Sequence, residues 1–309
     1  MVPLLAVAGA RVVAWDSRSV LVGLNALTPL LFLPAWPVAV AAGLARQWAL
    51  TGAATAVVVA HVAFLAPELA ARERAATVPP GAMRFRLFSA NVYAGNARVG
   101  GIAEEIGASA PDVVFLQEAT PAIVASVEAT GVLGALPHRI TVPRTDPFAG
   151  LLASRWPLVD QDVVEADGRP ILIRATAVTD RGPVRLYSVH VVAPVGDGRE
   201  EWARELARVG EAISSEQVPV VVAGDFNAGW SNRAFRRLLR LGLTDAAAGR
   251  GQALGMTWPR NRRVLPPLIR IDHVLTTKGL VVTRLRIGRG HGSDHRPLVA
   301  DVARTSGDG

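Results

Sequence analysis

Eight polar residues of this chain are of types that do chemistry together: Asn91, Glu118, His190, Asp225, Asn227, Asp272, Asp294 and His295. Carboxylate and amide oxygens suit a hard divalent cation. Imidazoles and carboxylates hold and move protons near neutral pH. What makes them a set is their position. Nearly every one stands at an end of a short apolar run: RFRLFSANV holds Asn91 near its end, DVVFL runs into Gln117-Glu118, and PVVVA runs into Gly224-Asp225-Phe226-Asn227. An asparagine at one strand end is ordinarily a turn residue, and one glutamate there is ordinarily solvated. Eight such groups at the ends of buried strands describe a site held on a rigid scaffold.

The elements that must position them follow from periodicity and turn signals. Strands are predicted over residues 84–92, 112–116, 171–178, 183–192, 219–223, 271–276, 280–287 and 297–302, and helices over 97–109 and 199–214. A turn is predicted at Arg181-Gly182-Pro183. Alternation of this kind, over some 220 residues, implies one α/β domain.

Composition narrows the chemistry. The chain of 309 residues has no cysteine, which excludes disulfides, thiolate metal sites and cysteine nucleophiles. Its formal net charge is +7, and its basic residues are almost all arginine. That balance suits anionic partners, whether nucleic acid, lipid head groups or other phosphates, without choosing among them. Half of the residues are apolar, and the excess is concentrated in the first seventy. Residues 20–45 and 48–66 carry no charge, and each run is long enough to cross a bilayer core. Pro29, Pro34 and Pro37 are read as kinks within the first run, and Arg46-Gln47 as the corner of a helical hairpin. The first fifteen residues, interrupted by Arg11, leave open a short first span, an interfacial helix and the remnant of a signal sequence. The expected organisation is therefore a membrane anchor of two or three transmembrane helices over 1–66, a linker over 67–83, and a catalytic domain over 84–309. With two spans, Arg11, Arg18, Arg72 and Arg74 favour a cytoplasmic domain; with three the domain faces outward as readily.

The motifs SANV at 89–92, LQE at 116–118, SVH at 188–190 with Pro194, GDFN at 224–227, RIDHV at 270–274 and GSDHRP at 292–297 occur in the order of the endonuclease/exonuclease/phosphatase superfamily, which the chain resembles over about residues 84–303. Thr257-Trp258-Pro259 is similar to a bacterial, membrane-linked branch. The resemblance implies a four-layered α/β sandwich, two mixed sheets face to face with helices outside. It implies a Mg²⁺-dependent hydrolase of phosphoester bonds, with Mn²⁺ as a substitute.

The resemblance also implies roles. Glu118 is the expected metal ligand, with Asn91 and Asp294 in support. Asp225 would orient or deprotonate the attacking water, and Asn227 would offer an amide N–H to the phosphate. His295, oriented by Asp272, would stabilise charge on the phosphoryl group. His190 would donate to phosphate or to the leaving oxygen. His273 should point away from Asp272 on the same strand and so be structural. Two arginine groups, Arg233/Arg236/Arg237/Arg240 and Arg260/Arg262/Arg263, could contact a phosphate-rich substrate, although the first suits a solvated helix face better. The expected partners are a phosphoester, lipid-linked or nucleic acid, and the bilayer itself through the hairpin. A catalytically silent scaffold of the same fold is the third alternative.

Overall fold

The computed structural model describes residues 1–71, 78–261 and 264–305. From residue 84 onward the chain builds two six-stranded mixed sheets. The strands are β1 (Arg84–Asn91), β2 (Val113–Gln117), β3 (His138–Val142), β4 (Gly150–Ser154), β5 (Leu158–Ala166), β6 (Arg169–Thr179), β7 (Gly182–His190), β8 (Val220–Asp225), β9 (Thr244–Asp245), β10 (Asp272–Thr276), β11 (Leu280–Ile287) and β12 (Leu298–Arg304). One sheet has the order β11-β12-β1-β2-β4-β3 and the other β5-β6-β7-β8-β10-β9.

Central strands are apolar on both faces because each face meets a different layer. In β1, Leu87 points into the core between the sheets, with Phe115, Leu186, Val221 and Val274, while its neighbour Phe88 points outward among Ile102, Ile106, Ile123 and Val127. Those outer residues belong to helices α6 (Val99–Ser109) and α7 (Pro121–Ala129). The second sheet is covered by α8 (Arg199–Ser214) and α9 (Arg233–Leu239). Trp202, Leu206, Val209 and Ile213 recur at helical spacing on α8 and are all buried on the sheet. Such burial stabilises by roughly 1.5–3 kcal/mol per side chain. Glu200 and Glu201 in its first turn face the positive end of the helix.

Two of the connections set the site. β1 and β2 are parallel, crossed over by α6, and β7 and β8 are parallel, crossed over by α8. Parallel strands end on the same side, so Asn91 lies opposite Gln117, and His190 opposite Asp225. The antiparallel partners begin where these end: Asp272 pairs with Asp225, and Leu298, just after the GSDHRP segment, pairs with Ser89. A buried hydrogen bond from Gln117 Nε2 to Ser188 Oγ (3.0 Å) ties the two sheets together beneath this end.

Residues 20–45 divide into α2 (Ser19–Ala26), α3 (Thr28–Leu31) and α4 (Ala35–Leu44), with a 70° bend between α2 and the rest. The breaks fall at Leu27 and at residues 32–34; Pro29 and Pro34 lack the N–H that would continue the preceding helix. The chain turns at Arg46 (φ +57°) into α5 (Trp48–Leu69), the one helix among the described residues long and apolar enough to cross a membrane. Its 22 residues amount to about 33 Å at ~1.5 Å per residue. α5 carries three residues further than the predicted anchor, through Pro67 and Glu68. Residues 72–77 of the predicted linker, with Arg72 and Arg74, lie outside the described residues. α1 (Val2–Val13) packs against α5 through Ala8, Val57 and Phe64.

Candidate active site

β1 delivers Asn91 into the buried end of the sandwich, where its side-chain N–H donates to Glu118 Oε1 (2.9 Å) and to Asp225 Oδ2 (3.1 Å). Its oxygen accepts from the Tyr93 N–H (3.0 Å). Asn91 thus bridges two carboxylates from two different sheets and does not turn its oxygen outward as a supporting ligand would. Glu118 follows β2 in a left-handed conformation, φ +58°, which turns its side chain back over the strand end. Its second oxygen accepts from the Ala94 N–H (2.9 Å).

Asp225 ends β8 and is fully enclosed. Oδ1 accepts from the Asn227 N–H (2.9 Å), and Oδ2 faces His190 Nε2 at 3.8 Å and His295 Nε2 at 3.7 Å. Asn227, also left-handed at φ +46°, spends an amide hydrogen on Val191 O (2.9 Å). It therefore braces the loop around Asp225, where a phosphate-facing amide was expected. Gly224 is required here: at φ +143° any Cβ would lie 2.1 Å from Val189 O on the adjacent strand. His190 stacks on Phe148 (ring centres 5.5 Å apart) and holds Nε2 3.9 Å from Glu118 Oε1. Its buried Nδ1 has no hydrogen-bond partner among the described residues, and Nε2 is the nitrogen that faces the carboxylates.

His295 is held through one ring nitrogen and through its backbone. Nδ1 pairs with Asp272 at 2.9 Å, and its backbone N–H donates to Ser293 Oγ, which in turn donates to Asn91 O (2.7 Å). Burial works against charge on His295, but Asp272 and then Asp225 outweigh it and lift its pKa to about 10. The imidazolium is the form held at neutral pH. Burial pushes Asp225 above the usual carboxylate range, with His295 pulling down and Asp272 pushing up. A carboxylate with raised proton affinity, beside a fixed imidazolium, is suited to taking a proton from water.

Asp294 stands apart from the Asn91–Glu118 pair in its contacts. Oδ2 accepts from the Trp258 indole N–H (3.2 Å), and the buried Oδ1 has no hydrogen-bond partner among the described residues. Thr257 Oγ accepts from the N–H of Ile271 (3.2 Å) and of Asp272 (3.4 Å). The Thr-Trp-Pro segment therefore positions both aspartates, a role that its sequence did not reveal. Phe148 is the other contributor sequence reasoning missed; it lies in a stretch with no motif.

These donors fit a hard cation. The oxygens of Glu118 and the orphaned oxygen of Asp294 are the kind Mg²⁺ takes, a few carboxylates with water completing the shell. Asp225, Asp272 and His295 also lie close enough to share an ion, within 4.8 Å of one another, but a protonated His295, bonded to Asp272 and facing Asp225, puts its own charge there.

A cavity of about 550 Å³ adjoins the site, lined by Asn96, Arg98, Arg260, His291 and Ser293 among others. Arg260 borders it as expected, whereas Arg262 and Arg263 lie outside the described residues. Arg233 and Arg236 lie over the Trp15 ring, each 5.9 Å from its centre, so that half of the first arginine group faces the N-terminal helices. His273 points to the far side of β10 from Asp272, as strand alternation requires, and pairs with Asp245 (2.9 Å).

The model of the Endonuclease/Exonuclease/phosphatase family matches residues 88–295, which contain every one of these groups. The chain belongs to this family. No curated protein matches it. Among solved structures, it is similar to an endonuclease/exonuclease/phosphatase from Beutenbergia cavernae DSM 12333 (20% identity, 72% of each chain covered, TM-score 0.55). It is also similar to D. rerio TDP2 complexed with single-strand DNA product (18% identity, 71% of this chain and 98% of that one, TM-score 0.61). A family protein from Bacteroides thetaiotaomicron is similar too (15% identity, 74% and 97% covered, TM-score 0.57). At these identities the likeness is one of fold: two mixed sheets flanked by helices.

Proposed function

We propose that this family member is a Mg²⁺-dependent hydrolase of phosphoester bonds, held to a membrane by its N-terminal helices. The observation that carries the reading is the convergence of His190 Nε2 and His295 Nε2 on Asp225 Oδ2 (3.8 and 3.7 Å), with Glu118 Oε1 3.9 Å from the same His190 nitrogen. Those separations exceed hydrogen-bond length, so the facing nitrogens and oxygens are not spent on one another and can turn to a reacting group at the edge of the cluster.

Glu118 and Asp294 would hold the cation, with Asn91 fixing the Glu118 carboxylate. When bound, Mg²⁺ would supply charge to offset that of the phosphoryl oxygens. Asp225 accepts a proton from the attacking water and is kept in line by the Asn91 and Asn227 N–H groups. His295, an imidazolium fixed by Asp272, stabilises negative charge growing on the phosphoryl group. His190 presents Nε2–H to the leaving oxygen, with Phe148 holding the ring.

The test is hydrolysis of an aryl phosphodiester by the full chain in detergent, with Mg²⁺ and with EDTA, in wild type and Asp225→Ala. Turnover that needs Mg²⁺ and disappears in the variant is expected. Turnover unaffected by EDTA would discard the metal assignment. A nuclease is the second reading, favoured by the arginine-lined cavity and the net charge of +7. Among the described residues, no phenylalanine, tyrosine or tryptophan side chain lines that cavity to stack bases.

A further inference from the structure

The N-terminal helices do not trail from the catalytic domain; they rest on its catalytic end. The loop after β7 meets them where Ser19 Oγ donates to Gly196 O (2.5 Å) and Arg199 Nη1 to Asp16 O (3.4 Å). On the loop after β8, Trp15 Nε1 donates to Ser231 O (2.9 Å), and Asn232 Nδ2 donates to Asp16 Oδ1 (3.1 Å) and Val22 O (3.0 Å). Just before β10, Arg270 forms a buried ion pair with Glu68 at the end of α5. The segments contacted are the ones that carry His190, Asp225 and Asp272. Val22 of α2 is itself part of the core beneath them, with Phe226 and Phe235.

The same helices present a surface that water does not solvate well. α5 is apolar along its length and largely uncovered, and Trp36, Val40, Leu44, Trp48, Val59 and Val62 are exposed on α4 and α5. A length of about 33 Å, no charge between residues 48 and 66, and an exposed Trp48 beside the Arg46 corner match a bilayer core and its interface. The 70° bend after α2 takes the chain out of that apolar bundle and lays α2 on the catalytic loops.

We infer that the helices hold the catalytic end against the bilayer, and that the substrate is a phosphoester of a membrane lipid, taken by its phosphorylated head while its chains stay in the membrane. This rests on the hydrolase reading above. Water adds to phosphorus, the bond from phosphorus to the leaving oxygen breaks, and the proton given up by water is balanced by the one delivered to that oxygen. The cavity lined by Arg98, Arg260 and His291 lies at the same end and offers cations to the anionic head.

The absence of cysteine lets the orientation be measured directly. Val195→Cys lies on the exposed loop after β7, and Asp180→Cys on the turn at the opposite end of that strand. Each is labelled with a fluorophore in the full chain, reconstituted in phosphatidylcholine vesicles containing a lipid spin-labelled at its head group. Quenching several-fold stronger at Val195→Cys is expected; equal or reversed quenching overturns the inference.

The second arm compares an aryl phosphodiester, a DNA oligonucleotide, and vesicles bearing phosphatidylglycerol, phosphatidic acid or an isoprenyl pyrophosphate. Cleavage of a vesicle lipid on the order of a hundredfold faster when enzyme and lipid share one vesicle is expected, because confinement raises effective concentration. Hydrolysis of the aryl ester with none of the three lipids cleaved, or with the oligonucleotide preferred, overturns the lipid substrate. Failure with the aryl ester counts against the hydrolase reading, and the quenching result still decides the orientation.

Discussion

Two acid–histidine pairs stand back to back on β10. Asp272 faces one way and pairs with His295; His273, the next residue, faces the other way and pairs with Asp245; both contacts are 2.9 Å. The second pair is closed. His273 donates Nε2–H to Ala228 O (2.8 Å), lies 4.1 Å from the Phe235 ring centre, and shares Asp245 with Arg270, which also holds Glu68. Every polar edge of that ring is committed. In the first pair His295 Nε2 has only Asp225 before it, at 3.7 Å, and Asp225 faces His190 across 3.8 Å. The chemistry of the two pairs is the same. What separates them is the far nitrogen of the imidazole: that of His273 is spent on a hydrogen bond to Ala228 O, whereas that of His295 stands 3.7 Å from Asp225, beyond hydrogen-bond length, and is left for a reacting group.

The sharpest way to break this comparison is to remove the open side. Asp225→Ala should lower kcat by roughly 10²–10⁴, the usual worth of a general base, without changing the melting temperature by much. Steady-state kinetics and a thermal melt on the same preparation check it. The closed pair should behave in the opposite way. Arg270→Met leaves Glu68 buried without its cation and Asp245 with His273 alone, a loss of about 3–5 kcal/mol, read as a lowered unfolding midpoint with little change in KM.

The two pairs should also part with pH. His295 is raised from 6.5 to about 10, so the stability it contributes is complete below about pH 6.5 and is lost as pH rises through about 10. Burial opposes the charge on Asp245, but Arg270 and then His273 outweigh it and draw the carboxyl below its ordinary 3.8. Its contribution is present above about pH 3.8 and lost only as pH falls through the lowered value. Melting temperatures in EDTA for wild type and His295→Gln should therefore differ most on the acid side and converge near about pH 10. The smallest effect is expected from Phe148→Ala, which removes the ring stacked on His190. A ring contact of this kind is worth about 0.5–1.5 kcal/mol, or roughly a two- to tenfold loss of kcat/KM.

Much of this was legible in the sequence because the strands that carry the site are buried on both faces. Runs such as VVVAGD and DVVFL can hardly be anything else, and the polar residue that ends each of them is conspicuous. α8 was equally plain from its apolar spacing and matches the predicted 199–214. Residues 119–170 were silent. β3 is a five-residue edge strand with alternating exposure, and β5 exposes Val159, Asp160, Gln161 and Asp162 in succession, so neither shows a clean period. Thr120-Pro121 before Ile123 and Val127 is a helix-start signal that would have disclosed α7. In the N-terminal region hydropathy marked the apolar stretch, but the prolines decided its division into α2, α3 and α4. The docking of Asp16 on Asn232 and of Glu68 on Arg270 joins residues about 200 positions apart, and nothing local announces such pairs.

Glu118 and Asn227 sit at positive φ, as does Tyr93, whose N–H donates to Asn91. Each such angle costs of order 1–3 kcal/mol in a side-chain-bearing residue. Glycine would relax all of them. Laboratory evolution of this chain for heat resistance alone should therefore erode its reactive centre first, trading Glu118 and Asn227 for residues that fold more easily and catalyse nothing. A screen that also demands turnover would have to seek its gains elsewhere.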